Sequence, residues 1–339
     1  MAQVTQKDIA KALNLSRVTV TKALKDHPDI AEETKAKIKQ LAEELGYTPN
    51  YIARSLSLKR TNVIGVIVPK IAHSFFASSI EFIYKAASLK GFDIIPMISF
   101  EDFELEKKHI ESLLAFRVDG LLVDTSQNID DASIYHKVRN KGIPLVFFDR
   151  ALEDNRFSRV TVNDHGAALR AVEFAIQQGY TKIAHFSGNK YVSIGKDRYE
   201  GYCEALKKYG LQQKDDWLIE GGFTSEYGYN GLKELVKKKS MPELIFTVND
   251  SVAVGVYEAA KELSLKIPDN IGVIGFGDIE HSQLLNPPLT SVHMPIDQIA
   301  SEAVNLLVNE ILGEEPGDAK EIILPTELKI RGSTRVLGN

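Results

Sequence analysis

The stretch TQKDIAKALNLSRVTVTKALKDHPDIAEETKAKIKQLAEELGY, residues 5–47, reads as three short helices in succession. Thr5 with Asp8 has the spacing of a capping box, and Ile9, Ala10 and Leu13 then fall on one apolar face. Asn14-Leu15-Ser16 is a turn, and Ser16 is placed to cap a second helix over 17–25 with Val20, Ala23 and Leu24 inward. His27-Pro28-Asp29 breaks the chain, and a third helix runs from about Glu32 to Leu45, where Gly46 ends it. Two helices joined by a tight turn, with a small residue (Ala10) in the first and polar residues early in the second, meet the geometric needs of a helix-turn-helix. On that reading Arg17, Val18 and Lys22 are the exposed reading positions, Thr19 and Thr21 suit phosphate contacts, and Thr5 and Ser16 are further DNA-binding positions. An ordinary helical hairpin with a solvated basic face would give the same short pattern.

Outward from this stretch, Pro49 forces Thr48 out of helical conformation, and Asn50 can cap a short helix to Ser57. Residues 58–62 read as a linker. From Asn62 the period changes. NVIGVIV, FDIIPMI, VDGLLVD and PLVFFD are buried-strand runs, separated by helical segments near 75–90, 102–115 and 131–141. The rhythm restarts with KIAHFS, ELIFTV and NIGVIGF, with helices near 164–178, 192–209, 225–238 and 250–264, and a last helix near 296–312 after PPLTSVHMP. Two consecutive α/β units follow, each with a mostly parallel sheet whose strand ends are the place for a ligand.

The bulk numbers agree with several domains. The chain has 339 residues, 44% of them hydrophobic and 26% charged. Its net charge of −5 hides an asymmetry: residues 1–60 carry 11 Lys+Arg against 7 Asp+Glu, and the rest is acidic. A basic end on an acidic body fits a small phosphate-binding module on a body that does not bind DNA. Cys203 is the only cysteine, which excludes an internal disulfide and argues against a Cys-based zinc site. No apolar run approaches the roughly 18 residues of a membrane span, and MAQVTQKDIAKAL lacks a leader's apolar core, so a cytoplasmic protein without a membrane partner is expected. Enzyme signatures are missing. There is no GxxxxGK[ST] and no HExxH, and Gly272, Gly275 and Gly277 have the wrong spacing for a dinucleotide fingerprint. No catalytic residue, cofactor or metal is expected.

Residues 4–56 resemble the headpiece of the lactose-repressor (LacI/GalR) family over their whole length, in Val4-Thr5, Asp8-Ile9-Ala10, Leu15-Ser16, Thr19-Val20, Glu33-Thr34, Leu45-Gly46-Tyr47 and Pro49-Asn50. Ala53-Arg54-Ser55-Leu56 resembles the family's hinge. The likeness continues through RTNVIGVIVP, RVDGLL, GIPLVFFDR, IAHFSG, RYEGYCEAL, VNDSVAVG, IGVIGFGD, PPLTSV and TELKIRGST to a sensor that is similar in fold to periplasmic sugar-binding proteins. The resemblance implies a small all-α helix-turn-helix headpiece and an α/β two-lobed sensor. The headpiece is placed at 1–49 and the hinge at 50–61. The N-terminal lobe takes 62–160 and 292–322, the C-terminal lobe 161–291 and 323–339, with crossings near 161, 291 and 323.

The same resemblance implies a function: a transcription regulator, as a repressor, that binds a pseudo-palindromic operator in double-stranded DNA as a homodimer and answers to a small-molecule effector, a carbohydrate, in the cleft. It implies DNA contacts at Asn50 and Ala53 and a minor-groove wedge at Leu56. In the cleft it implies Phe75, Phe76, Asp149, Arg150, Arg198, Phe223, Asn249, Asp250 and Asp278. Three headpiece positions depart from the family: Asn14 replaces a usual Gly, Ala31 a usual Ser cap, and Lys22 a frequent Arg with its bidentate fork. A fourth lies in the sensor, where Gly275-Phe276-Gly277-Asp278 lacks the family's first Asp at Gly277. The family's four-chain form adds a leucine-heptad helix, which TELKIRGSTRVLGN does not show, so a dimer is expected. The rival reading is a stand-alone sugar-binding protein.

Overall fold

The computed structural model describes residues 4–47, 60–127, 129, 131–314 and 318–336. They divide into two compact units, residues 1–61 and 62–339. Among the described residues no helix is long and apolar enough to cross a membrane.

The first unit is α1 (Gln6–Ala12), α2 (Arg17–Leu24) and α3 (Glu32–Glu44). Its core is Ile9, Ala10, Val20, Ala23, Ile38 and Ala42, with Leu13 and Leu24 packed at its margin. The caps are local and follow the sequence. The Asp8 carboxylate accepts from the Thr5 amide at 2.8 Å and the Thr5 hydroxyl at 2.7 Å. Ser16 Oγ accepts from the Thr19 amide at 3.0 Å. Asn14 takes φ 53°, which asparagine tolerates better than most residues. Ala31 gives α3 no side-chain cap. At the other end of α3, Gly46 has φ 64°, and the Tyr47 amide donates back to the Ala42 carbonyl at 2.8 Å, closing the helix.

The second unit holds two six-stranded sheets. In the first, the order is β11 (Glu321–Leu324), β5 (Ser158–Val162), β4 (Leu145–Phe148), β3 (Gly120–Val123), β1 (Val63–Val68), β2 (Asp93–Ile98), and every pairing is parallel. In the second, the order is β12 (Glu327–Lys329), β10 (Thr290–His293), β9 (Gly272–Gly277), β8 (Leu244–Thr247), β6 (Ile183–Ser187), β7 (Leu218–Glu220). Only β12 runs antiparallel to its neighbour. Parallel strands are covered on both faces, which is why β3, β4, β6, β8 and β9 are buried at every position.

The connecting helices are α4 (Ser74–Leu89), α5 (Phe103–Ala115), α6 (Ser133–Asn140), α7 (Asp164–Gln177), α8 (Ser193–Lys208), α9 (Ser225–Lys237), α10 (Asp250–Glu262) and α11 (Ile296–Leu312). The chain passes between sheets after β5, after β10 and after β11, so residues 161–162 and 323–324 stand in the first sheet and 292–293 in the second. Each sheet thus runs two residues past the boundary the sequence pattern gave, to 162, 293 and 324. The strands β5, β7, β10, β11 and β12 were not read as strands: β7 and β12 have three residues each, β5 and β11 alternate in burial, and β10 lies within the proline-flanked PPLTSVHMP segment. α11 packs on α4 and the first sheet, although the strand before it belongs to the second.

Candidate functional site

On α2, Arg17 and Val18 are exposed, Val18 at 65%, and the Arg17 side chain has no partner among the described residues. Other expected contacts carry intramolecular bonds. The hydroxyls of Ser16 and Thr19 lie 2.8 Å apart, and Thr21 donates to Gln6 Oε1 at 2.8 Å. Lys22 is also engaged: its ammonium lies 2.6 Å from the exposed Asp29 carboxylate. That bond holds Asp29 below the usual carboxylate range. Asn50, Ala53 and Leu56 lie outside the described residues.

In the second unit the carboxyl ends of the strands surround a cavity of about 620 Å³. Phe75, Phe76, Asp149, Arg150, Arg198, Phe223, Asn249 and Asp250 all line it; Asp278 does not. Phe75 and Phe76, on the first turn of α4, are both buried and meet edge to face, so neither is diverted wholly to the core.

Asp149 directly follows β4 with φ 57° and lies 6% exposed, with no side-chain hydrogen bond to protein among the described residues. Burial raises its pKa, against the pull of Arg198 and Arg150. Arg150 is held by Glu101, whose two carboxylate oxygens take Nη1 at 3.0 and 2.9 Å. Its guanidinium also lies over the Phe76 ring, at 5.6 Å, and the Phe223 ring, at 4.9 Å, thus touching both lobes. Arg150 is therefore an intrachain pair as well as a cavity wall. Behind it the buried Asp124 has neither oxygen hydrogen-bonded. Burial, reinforced by the neighbouring Asp149 charge, pushes the Asp124 carboxyl well above its ordinary range.

Arg198 is 2% exposed. Its Nε and Nη2 bind Asp164 Oδ1 at 2.7 and 2.6 Å, Nη1 donates to the Val248 carbonyl at 2.6 Å, and the group stacks 3.6 Å above Phe276. Pairing with Glu204 is excluded, since Glu204 meets His165. Asn249, not Asp250, caps α10: its Oδ1 accepts from the Val252 amide at 2.9 Å and its Nδ2 donates to the Phe223 carbonyl at 3.0 Å. Asp250 instead accepts from the Ile279 amide, Ser282 and Ser291, at 2.9, 2.6 and 2.6 Å. A side chain at Gly275 would put Cβ 2.1 Å from Asp250 Oδ1, which is why that strand position is glycine. Asp278 turns away from the cavity, to Arg331 at 2.7 Å and His293 at 3.1 Å, so it is corrected from ligand contact to structural pair.

Bonds that sequence reasoning did not foresee cross the cleft among the described residues: His73 Nε2 with Ser251 Oγ at 2.8 Å, Asn189 Nδ2 to Gln127 Oε1 at 3.1 Å, and Lys196 with Glu153 at 3.3 Å. Burial pushes His73 down to about 4, which keeps it neutral. Glu101, Gln127 and Asp164 were also missed. Glu101 and Gln127 follow strand ends, so the rule that ligands gather there was the available signal.

The family follows from these two units. Residues 5–50 match the family model described as "Bacterial regulatory proteins, lacI family". Residues 61–331 match "Periplasmic binding proteins and sugar binding domain of LacI family". The chain belongs to the LacI family of bacterial regulatory proteins: it is a DNA-binding transcriptional repressor with an effector-binding domain, and not an enzyme. Among its relatives is the "Probable HTH-type transcriptional repressor ExuR" of Bacillus subtilis, 35% identical over 344 residues, covering 98% of this chain and 99% of the relative. The "HTH-type transcriptional repressor PurR" of Pasteurella multocida is 31% identical over 333 residues, with 98% of each chain covered. The structure of the lac repressor dimer bound to operator and the anti-inducer ONPF superimposes with a TM-score of 0.89 at 23% identity, covering 99% of this chain and 100% of that one, a likeness of fold.

Proposed function

We propose that this repressor is governed by a small hydroxyl-rich effector, a sugar or sugar derivative, bound in the cavity between the lobes. Asp149 carries the reading. A buried carboxylate without donors is costly, and an effector with hydroxyls supplies donors to it while Arg198, fixed by Asp164, and Asn249 offer directed groups beside it. The aromatic lining of Phe75, Phe76 and Phe223 suits the C–H faces of such a ligand. The protein acts on a pseudo-palindromic operator as a homodimer, two headpieces matching two half-sites. Asn50, Ala53 and the Leu56 wedge serve DNA from the hinge, and the work on DNA puts the protein in the cytoplasm. Effector binding changes the lobe angle and thereby the operator affinity.

The test is a thermal-shift screen against sugars, sugar acids, sugar phosphates and nucleobases, followed by gel shifts with genomic DNA. A sugar-class hit should alter operator binding, and Asp149→Asn should lower its affinity tenfold or more, about 1.4 kcal/mol. A nucleobase as the only hit, or unchanged affinity in Asp149→Asn, would reject the effector class. Ligand binding with no DNA binding at any salt would favour the stand-alone binding protein.

A further inference from the structure

Behind the Arg150 wall stands a carboxyl that none of the expected contacts uses. Asp124 directly follows β3, and its amide donates to the Ile67 carbonyl at 2.9 Å, which holds the backbone against β1. Its side chain is fully buried, and neither oxygen is hydrogen-bonded among the described residues. Charged groups act on it from several segments: Glu101 after β2, Glu106 on α5, and Asp149 and Arg150 after β4. β1 itself carries no titratable side chain. From the segment before α4, His73 and Lys70 join the same group of charges, and burial keeps His73 neutral. From the other lobe Arg198 acts on Asp149. Each of the other three carboxyls has an outlet. Glu101 holds Arg150 Nη1 and accepts from the Gln127 amide at 3.1 Å. Glu106 accepts from the Ser126 amide at 2.7 Å, the Ser126 hydroxyl at 2.5 Å and the Tyr135 hydroxyl. Asp149 lines the cavity. Asp124 has Arg150 Nε at 3.9 Å, too far for a hydrogen bond, and Nε is itself unpaired among the described residues. A buried carboxylate without donors is far costlier than the neutral acid.

We propose that Asp124 holds a proton and works as a switch on Arg150. With the proton in place, the guanidinium stays with Glu101 and covers the Phe76 and Phe223 rings, joining the two lobes. As pH rises the proton leaves to water, and the new carboxylate closes the gap to Nε. The guanidinium is a rigid fork, so turning Nε toward Asp124 moves Nη1 away from Glu101 and the plane away from Phe223. The cleft therefore loosens in alkaline solution. No step involves the effector, so the switch stands apart from the effector reading. Burial, and after it the Asp149 charge, holds the Asp124 carboxyl well above its ordinary range. The folded state then binds the proton more tightly than the unfolded one, and Asp124 detracts from stability increasingly as pH rises between the two values.

NMR of the full chain with carboxyl-labelled aspartate and Nε-labelled arginine tests this, titrated upward from about pH 5 until the chain unfolds. The signal lost in Asp124→Asn identifies Asp124. It should titrate well above those of the exposed Asp26 and Asp131, which their partners hold low. The Arg150 Nε signal, identified by its loss in Arg150→Lys, should shift with the same midpoint as Asp124. In Asp124→Asn, which keeps the shape and the neutral state, it should hold its low-pH position throughout. Glu101→Gln releases Nη1, so there the Arg150 signal should move at lower pH than in the wild type. Hydrogen exchange over residues 221–224, compared at equal pH, should be about fivefold faster in the wild type than in Asp124→Asn above the midpoint, the scale of one lost cation–π contact, and equal below it. Asp124 titrating with the exposed aspartates, or not titrating before unfolding, overturns the switch. So does an Arg150 signal indifferent to Asp124, or equal exchange at both ends of the range. If Asp124→Asn does not fold, Glu101→Gln decides, and a wild-type midpoint for Arg150 in that variant overturns the proposal.

Discussion

Replacing Arg198 with methionine tests whether the cavity floor is a buried ion pair or only a shape. Methionine keeps the length of the side chain and can still cover Phe276, but it removes the hydrogen bonds to Asp164 and the Val248 carbonyl and the ion pair with Asp164. Asp164, 5% exposed, is left without a hydrogen-bond partner among the described residues. Breaking one side of such a pair costs about 3–5 kcal/mol, because the other charge stays buried. At roughly 2 °C per kcal/mol for a unit of this size, Tm should fall by about 6–10 °C. The loss should depend on pH. Burial pushes Asp164 up to about 6 even with Arg198 in place. Its folded pKa thus exceeds its unfolded one, the folded state binds more protons between them, and its effect on stability worsens as pH rises from about 4 to 6. Without Arg198 that window extends upward, so Arg198→Met should lose more stability at pH 8 than at pH 5. Adding Asp164→Asn removes the orphaned charge and should recover most of the loss. Urea denaturation of the single and double variants at both pH values measures this. A single-variant loss below about 1 kcal/mol, or a loss independent of pH and not relieved by Asp164→Asn, refutes the buried-pair argument.

Other outcomes follow from the same contacts. Glu101→Gln should cost about 1–3 kcal/mol in urea denaturation by loosening Arg150, and should weaken effector binding in calorimetry; an unaltered variant would show that Arg150 is held by its rings alone. Gly255→Ala drives a Cβ to within 1.7 Å of the Ser225 carbonyl oxygen, so α9 and α10 must separate at a cost of about 1–3 kcal/mol or more, and wild-type stability would contradict so tight a crossing. Operator affinity should fall steeply with salt, and if Arg17 meets a phosphate, Arg17→Ala should flatten the log–log slope by about one unit. Lys22→Ala should flatten it less if Asp29 retains the ammonium, and an equal change in both would mean that DNA breaks the Lys22–Asp29 pair.

Much of the architecture was legible because it is local. The Thr5–Asp8 box, the Ser16 cap, the Asn14 turn and the Gly46 stop are each set by residues within a few positions of one another. Long apolar strands such as β1 and β9 declare themselves by composition, whereas β7 and β12, of three residues each, have too little pattern to separate from loops. Eight of the nine expected cavity residues do line the cavity, since strand ends are readable and strand ends converge. Asp278 failed because its neighbour Arg331 comes from the far C-terminal segment, a pairing with no sequence signal.

Sequence by itself determined the helix-turn-helix, the two alternating α/β runs and the residue types at their strand ends, because caps, turns and periodicity act over a few residues. The tertiary structure decided which of those polar side chains remain available. Arg150 finds Glu101 forty-nine positions away, Arg198 finds Asp164, Asp250 finds Ser282 and Ser291, and Asp149 is left facing the cavity without a bond. A buried charge takes whatever partner packing brings within about 3 Å, and that partner is chosen by how two sheets and their helices meet, not by the spacing of residues along the chain.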